Sequence, residues 1–132
     1  MRTLSRELLG KFQEMEMRIS RERGPFNLFA LFLPEDAANL WDLVISAPWA
    51  DGNESEARRY MVRELQKSFT TQEILRLSRT VFIPTGFEEL DELYEEHPVE
   101  HGKVILRNRE FGLLFVEKGY IITCRPPAAK AA

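Results

Sequence analysis

Phe26-Asn27-Leu28-Phe29-Ala30-Leu31-Phe32-Leu33, held between Pro25 and Pro34, decides how the rest of this chain reads. The run is short for a helix. Its large apolar side chains fall at both odd and even positions, so it is expected to be a strand buried on both faces. Pro34-Glu35-Asp36 then turns the chain. Leu40-Trp41-Asp42-Leu43-Val44-Ile45-Ser46 is rich in β-branched and aromatic residues and reads as a second strand, forming a hairpin with the first. A helix beginning near Glu35 is the competing reading of residues 35–46.

Upstream of the hairpin, Leu4, Leu8, Phe12, Met15 and Ile19 recur at helical spacing with charges between them, so residues 1–24 read as a long amphipathic helix ended by Gly24-Pro25. At about 20 residues it would span about 30 Å, so it either crosses the whole core or projects to pair with another chain. Downstream, Asn53 with Glu56, Thr70 with Glu73 and Thr85 with Glu88 have the spacing of capping boxes, each opening a helix. Thr80 to Ile83 is a strand stopped by Pro84. Lys103 to Arg107, Phe111 to Val116 and Tyr120 to Cys124 read as a three-stranded meander, with Glu117-Lys118-Gly119 as its last turn. The expected fold is one α+β domain over residues 1–125, a mixed or antiparallel sheet with about four helices in the order α-β-β-α-α-β-α-β-β-β. Residues 126–132 are expected to be a disordered tail.

The composition suits this architecture. The chain has 132 residues, 44% of them hydrophobic and 11% aromatic, with a net charge of -3, which excludes collagen-like, low-complexity and disulfide-scaffold classes. No apolar run is long enough for a membrane span and the start lacks a signal-peptide core, so a cytoplasmic protein is expected. The one cysteine, Cys124, lies in a strand and reads as a small buried hydrophobe in preference to a reactive thiol.

Charge is segmented. Residues 25–57 hold six acids and no base, and residues 83–102 seven acids and no base, whereas residues 58–82 hold six bases and two acids. Arg59, Arg63 and Lys67 share a helix face, and Glu92 and Glu96 belong to an acidic helix with no cation of its own, so the two helices are expected to relieve each other within the chain or across a dimer. Nucleic-acid binding by the basic stripe ranks behind that reading. Trp41 and Trp49 read first as core, with Trp49 a candidate interface anchor.

Sites of chemistry are thin. His97 and His101 are four apart, but Pro98 breaks any helix that would present both to a metal, and Glu100 between them does not complete a zinc-protease pattern. Asp42, on an apolar strand, must face solvent or own a specific partner. With Asp51 it could be the acidic half of a metal-dependent nuclease, yet the Glu-x-Lys element such a site requires is missing. Phosphate-binding glycine loops and nucleophile elbows are also missing, and no metal or cofactor is implied. The resulting expectation is a non-catalytic protein-interaction or regulatory module, homodimeric through its N-terminal helix or a strand edge. The alternative is a small nucleic-acid-processing or nucleotide-binding enzyme using Asp42 and Asp51 or Glu100 and His101.

Overall fold

In the computed structural model, which describes residues 4–35, 38–112 and 114–127, the Ser5 side chain accepts the Leu8 amide at 3.1 Å and opens helix α1, Arg6–Arg23. Gly24, at φ 112°, ends it. Its apolar stripe, Leu8, Phe12, Met15 and Ile19, is buried. The helix therefore lies across the core, and the face that could have paired with another chain is already covered.

Strands β1 (Leu28–Pro34) and β2 (Trp41–Ser46) form the expected antiparallel hairpin, from Leu28 opposite Ser46 to Phe32 opposite Asp42, and residues 41–46 are strand, not helix. After a single 3-10 turn, helices α2 (Glu54–Ser68) and α3 (Thr71–Ile74) lead to β3 (Leu77–Phe82), which runs parallel to β2. Helix α4 (Glu89–Glu96) precedes β4 (Val104–Phe111) and β5 (Leu114–Cys124). The sheet is mixed, in the order β3-β2-β1-β5-β4.

The two-sided burial of the central hairpin creates two cores. Phe29, Leu31, Trp41, Leu43 and Ile45 face α1 and α2, while Leu28, Ala30, Phe32 and Val44 face the side covered by Leu90, Leu93 and Tyr94 of α4. This is one α+β domain in three layers.

Three local expectations need correction. The turn expected at Glu117-Lys118-Gly119 is absent, because β5 runs unbroken through it and the hairpin closes at the Phe111–Leu114 pair. Gly119 is a glycine for packing: a Cβ there would lie 2.9 Å from the Phe32 ring. The Thr70–Glu73 capping box is present in both directions, but the Asn53 side chain caps nothing and α4 begins only at Glu89. Of the expected tail, Pro126 and Pro127 are exposed and 128–132 lie outside the described residues. No described helix is long and apolar enough to cross a membrane.

Candidate functional site

The β2–α2–α3–β3 crossover leaves β3 at one edge of the sheet. Arg58 of α2 reaches over this edge, donating from Nη1 to the Thr80 carbonyl at 2.7 Å while its guanidinium lies 5.2 Å from the Phe82 ring centre. Three depressions follow one another around the end of β3. The first lies on the outer face of α2, between Glu54, Arg58, Arg59, Val62 and Arg63. The second lies between Asp51, Glu54 and the segment Phe82-Ile83-Pro84. The third is a cavity of about 250 Å³ on the α4 side of the sheet, lined by Phe32, Val44, Val81, Phe87, Phe111 and Leu114 among others. Glu54 borders both the first and the second, and Phe82, Ile83 and Pro84 border both the second and the third, so the three adjoin as a track around the end of β3.

The cavity exists because α4 is short. Eight residues make a helix of about 12 Å, about half the roughly 23 Å of the seven-residue strand β1 beneath it. Where the helix does not reach, three aromatic rings roof the sheet edge to face: Phe32 on Phe111 at 5.8 Å and Phe87 on Phe111 at 6.0 Å. Phe87 remains 37% exposed.

Asp42 lies under this region. Its side chain is 3% exposed, and its partner is Arg79, directly across the β2–β3 ladder, with Nε 3.3 Å from Oδ2. Burial pushes the carboxyl above its ordinary range, and the guanidinium opposes the rise without cancelling it. Arg79, 61% exposed, is the one charged residue among the described residues that line the cavity. Asp42 thus has the specific partner its place on an apolar strand demanded; the parallel pairing that supplies it has no local sequence signal.

Helices α2 and α4 cover opposite faces of the sheet, so the expected pairing of Arg59, Arg63 and Lys67 with Glu92 and Glu96 does not occur within the chain. Lys67 and Arg18 instead hold Glu64 at 3.1 and 3.0 Å. Although burial alone would raise the Glu64 carboxyl, these two cations bring it below its ordinary range. Glu92 and Glu96 both bind Arg109 of β4. Arg59 and Arg63 are exposed and have no ion pair or hydrogen bond among the described residues.

Most of the other candidates disperse. Asp51 accepts the Thr85 hydroxyl at 2.5 Å, apart from Asp42. Among the described residues His97 has Glu96, at 3.9 Å, while Glu100 is held by Arg125 and also lies 3.7 Å from Nε2 of His101, so this one pair suggested by the sequence does come together. His101, at φ 52°, places Nδ1 2.5 Å from Oε1 of Glu16, a side chain of α1 with no exposed surface that also accepts from Thr123 at 2.8 Å and Ser20 at 3.1 Å. Glu16 was readable as an inward position, since it falls four residues after Phe12 and three before Ile19. No group of three metal-ligating side chains forms among the described residues. Trp49 packs on Phe26 and Tyr60, each at 5.8 Å, and Trp41 is wholly buried. Burial raises the Cys124 thiol to about 12. Comparison with known proteins finds no family model, no curated protein and no solved structure that matches this chain.

Proposed function

We propose that this chain is a protein-interaction module that receives an extended segment of a partner protein around the β3 edge. Acidic side chains of the segment would lie over Arg59 and Arg63, and a large apolar side chain would enter the cavity beside Phe87. The observation that supports this most is that the three depressions adjoin, cationic at one end and apolar at the other. Buried apolar anchors supply most of the energy of such interfaces, while exposed charges steer encounter and choose partners. Charge complementarity with the exposed Arg59 and Arg63 sets the chemistry of the segment, and we assign it to a different protein.

A display library of short random peptides tests the proposal. Enrichment of sequences that join acids to a Leu, Phe or Trp is expected. The enriched peptide should bind at least about tenfold more weakly to Arg59→Glu/Arg63→Glu and to Phe87→Asp. Enrichment without acids, or binding indifferent to these changes, overturns it. So does tighter, steeply salt-dependent binding of an oligonucleotide to the same arginines, which would make the stripe a phosphate site.

A second reading, a small enzyme, draws on His101, which has Glu16 at Nδ1 and Glu100, the partner the sequence suggested, 3.7 Å from Nε2. In the Glu16–His101 arrangement a buried carboxyl fixes Nδ1, which is how an imidazole is positioned for proton transfer at Nε2. A hydrolytic activity that survives purification and disappears in His101→Gln would favour it.

A further inference from the structure

We infer that the apolar cavity is a carboxyl-terminus pocket: the partner segment ends there, its last side chain filling the cavity and its free α-carboxylate held by Arg79. This rests on the proposed function and specifies what the apolar end of the track reads.

Size is the first argument. At about 250 Å³ the cavity falls just below the roughly 300 to 1,000 Å³ typical of small-molecule sites, which suits one large side chain with its terminal group. Charge is the second. Of the described residues lining the cavity only Arg79 is charged, and its Nε is committed to Asp42, which leaves the two terminal nitrogens to meet a carboxylate in the two-pronged manner guanidinium favours. Asp42 is the third. Burying a carboxyl on an apolar strand costs stability, and its one side-chain partner among the described residues is Arg79. The geometry obtained in return is a guanidinium fixed over the cavity.

Chain geometry separates a terminal carboxylate from an internal Asp or Glu. In an extended segment, neighbouring side chains point to opposite faces, so an acid next to the apolar anchor points away from the cavity, and one two positions off lies about 6.5 Å further along. A terminal carboxylate belongs to the same residue as the anchoring side chain. Anchor and charge then fall within one cavity wall, where Phe87, Phe111 and Arg79 stand. The β4–β5 turn borders the far side through Gly112, whose amide is bonded by Glu89 at the start of α4. Capture of a chain terminus is a recurring mode of peptide recognition.

The test uses the enriched acidic–apolar peptide in three synthetic forms: free acid, C-terminal amide, and extended by Gly-Ser. Fluorescence polarisation of the free acid should exceed the other two in affinity by about tenfold or more. Arg79→Met should reduce the free acid to the level of the amide while leaving the amide unchanged, and Asp42→Asn should fall between. Because Arg79 is the partner of buried Asp42, Arg79→Met is also made in an Asp42→Asn background, which leaves no unpaired carboxylate, and amide binding by the variants serves as the control for an intact cavity. Equal binding of acid and amide overturns the terminus assignment and leaves the interaction module standing. Failure of all three forms to bind overturns both. Octanoate that binds and is blocked by Arg79→Met, with no preference among the peptides, would reassign the pocket to a free fatty carboxylate and overturn the inference.

Discussion

At Glu16 the chain buries a carboxyl completely and surrounds it with His101, Thr123 and Ser20. The two partners are not equivalent, since His101 is 35% exposed and can be hydrated if left alone, whereas Glu16 cannot. His101→Ala is therefore expected to cost about 2–3 kcal/mol by leaving a buried oxygen unmet, and Glu16→Gln about 1 kcal/mol, since hydrogen bonding to the amide persists. Urea midpoints of the two variants decide this, and equal costs would sink the asymmetry. Two other carboxyls bend the pH profile in opposite senses. Glu64 is lowered in the folded state, so its stabilisation is present at neutral pH and fades as pH falls below about 4.5. Asp42 is raised, so its contribution has the reverse sign: present below its unfolded value near 3.8 and lost as pH rises. Glu64→Gln should flatten the acid limb of a denaturation series, whereas Asp42→Asn should gain on the native chain as pH rises above about 4. Cys124, raised to about 12, should resist alkylation at pH 8 until the chain is unfolded.

Two glycines at the end of the chain show how far an element can be read from its letters. Gly119 looked like a turn and is a point of close approach, with a would-be Cβ 2.9 Å from Phe32, while Gly112, at φ 64°, is where the hairpin turns. Gly119→Ala is expected to cost about 1–3 kcal/mol by overpacking, and less in a Phe32→Leu background where the ring edge is gone. Gly112→Ala should cost about 1 kcal/mol in either background, because its strain is in the backbone. A double-mutant cycle on thermal unfolding separates them, and equal coupling to Phe32 would refute the assignment. The same division runs through the fold. Helix α1, the β1–β2 hairpin and the Thr70–Glu73 box were legible because apolar period and capping chemistry act locally. The Thr85–Glu88 pair misled because Thr85 spends its hydroxyl on Asp51, a partner distant in sequence. Of the candidate site, Asp42 and the basic stripe were visible, whereas Arg79, Phe87 and Phe111 came together only through parallel strand pairing and the shortness of α4.

The charge blocks were legible as blocks, but which face of the sheet each helix covers is a property of the whole topology. The crossover from β2 to β3 lays α2 beside α1, and the connection from β3 to β4 lays α4 on the other face, so the basic and acidic stripes point away from each other. Glu88, Asp91 and Glu95 are exposed, follow one side of α4 and have no ion pair among the described residues, as do Arg59 and Arg63 on α2. This arrangement constrains self-association. A two-fold pair through either face sets like charges against like, whereas α2 of one copy against α4 of the next is favourable but does not close on two copies. Charge-driven association should therefore be open-ended. It should also be confined to low salt, where screening extends over about 30 Å at 0.01 M against about 8 Å at 0.15 M. Sedimentation velocity at these two ionic strengths is expected to show a weight-average mass that climbs past the dimer with concentration at low salt and a monomer at high salt. Asp91→Lys/Glu95→Lys should abolish the climb without changing the fold. A dimer that persists at 0.15 M and ignores that double substitution would instead place the contact away from these two helices, for example at the β4 edge, where Ile105 is 43% exposed.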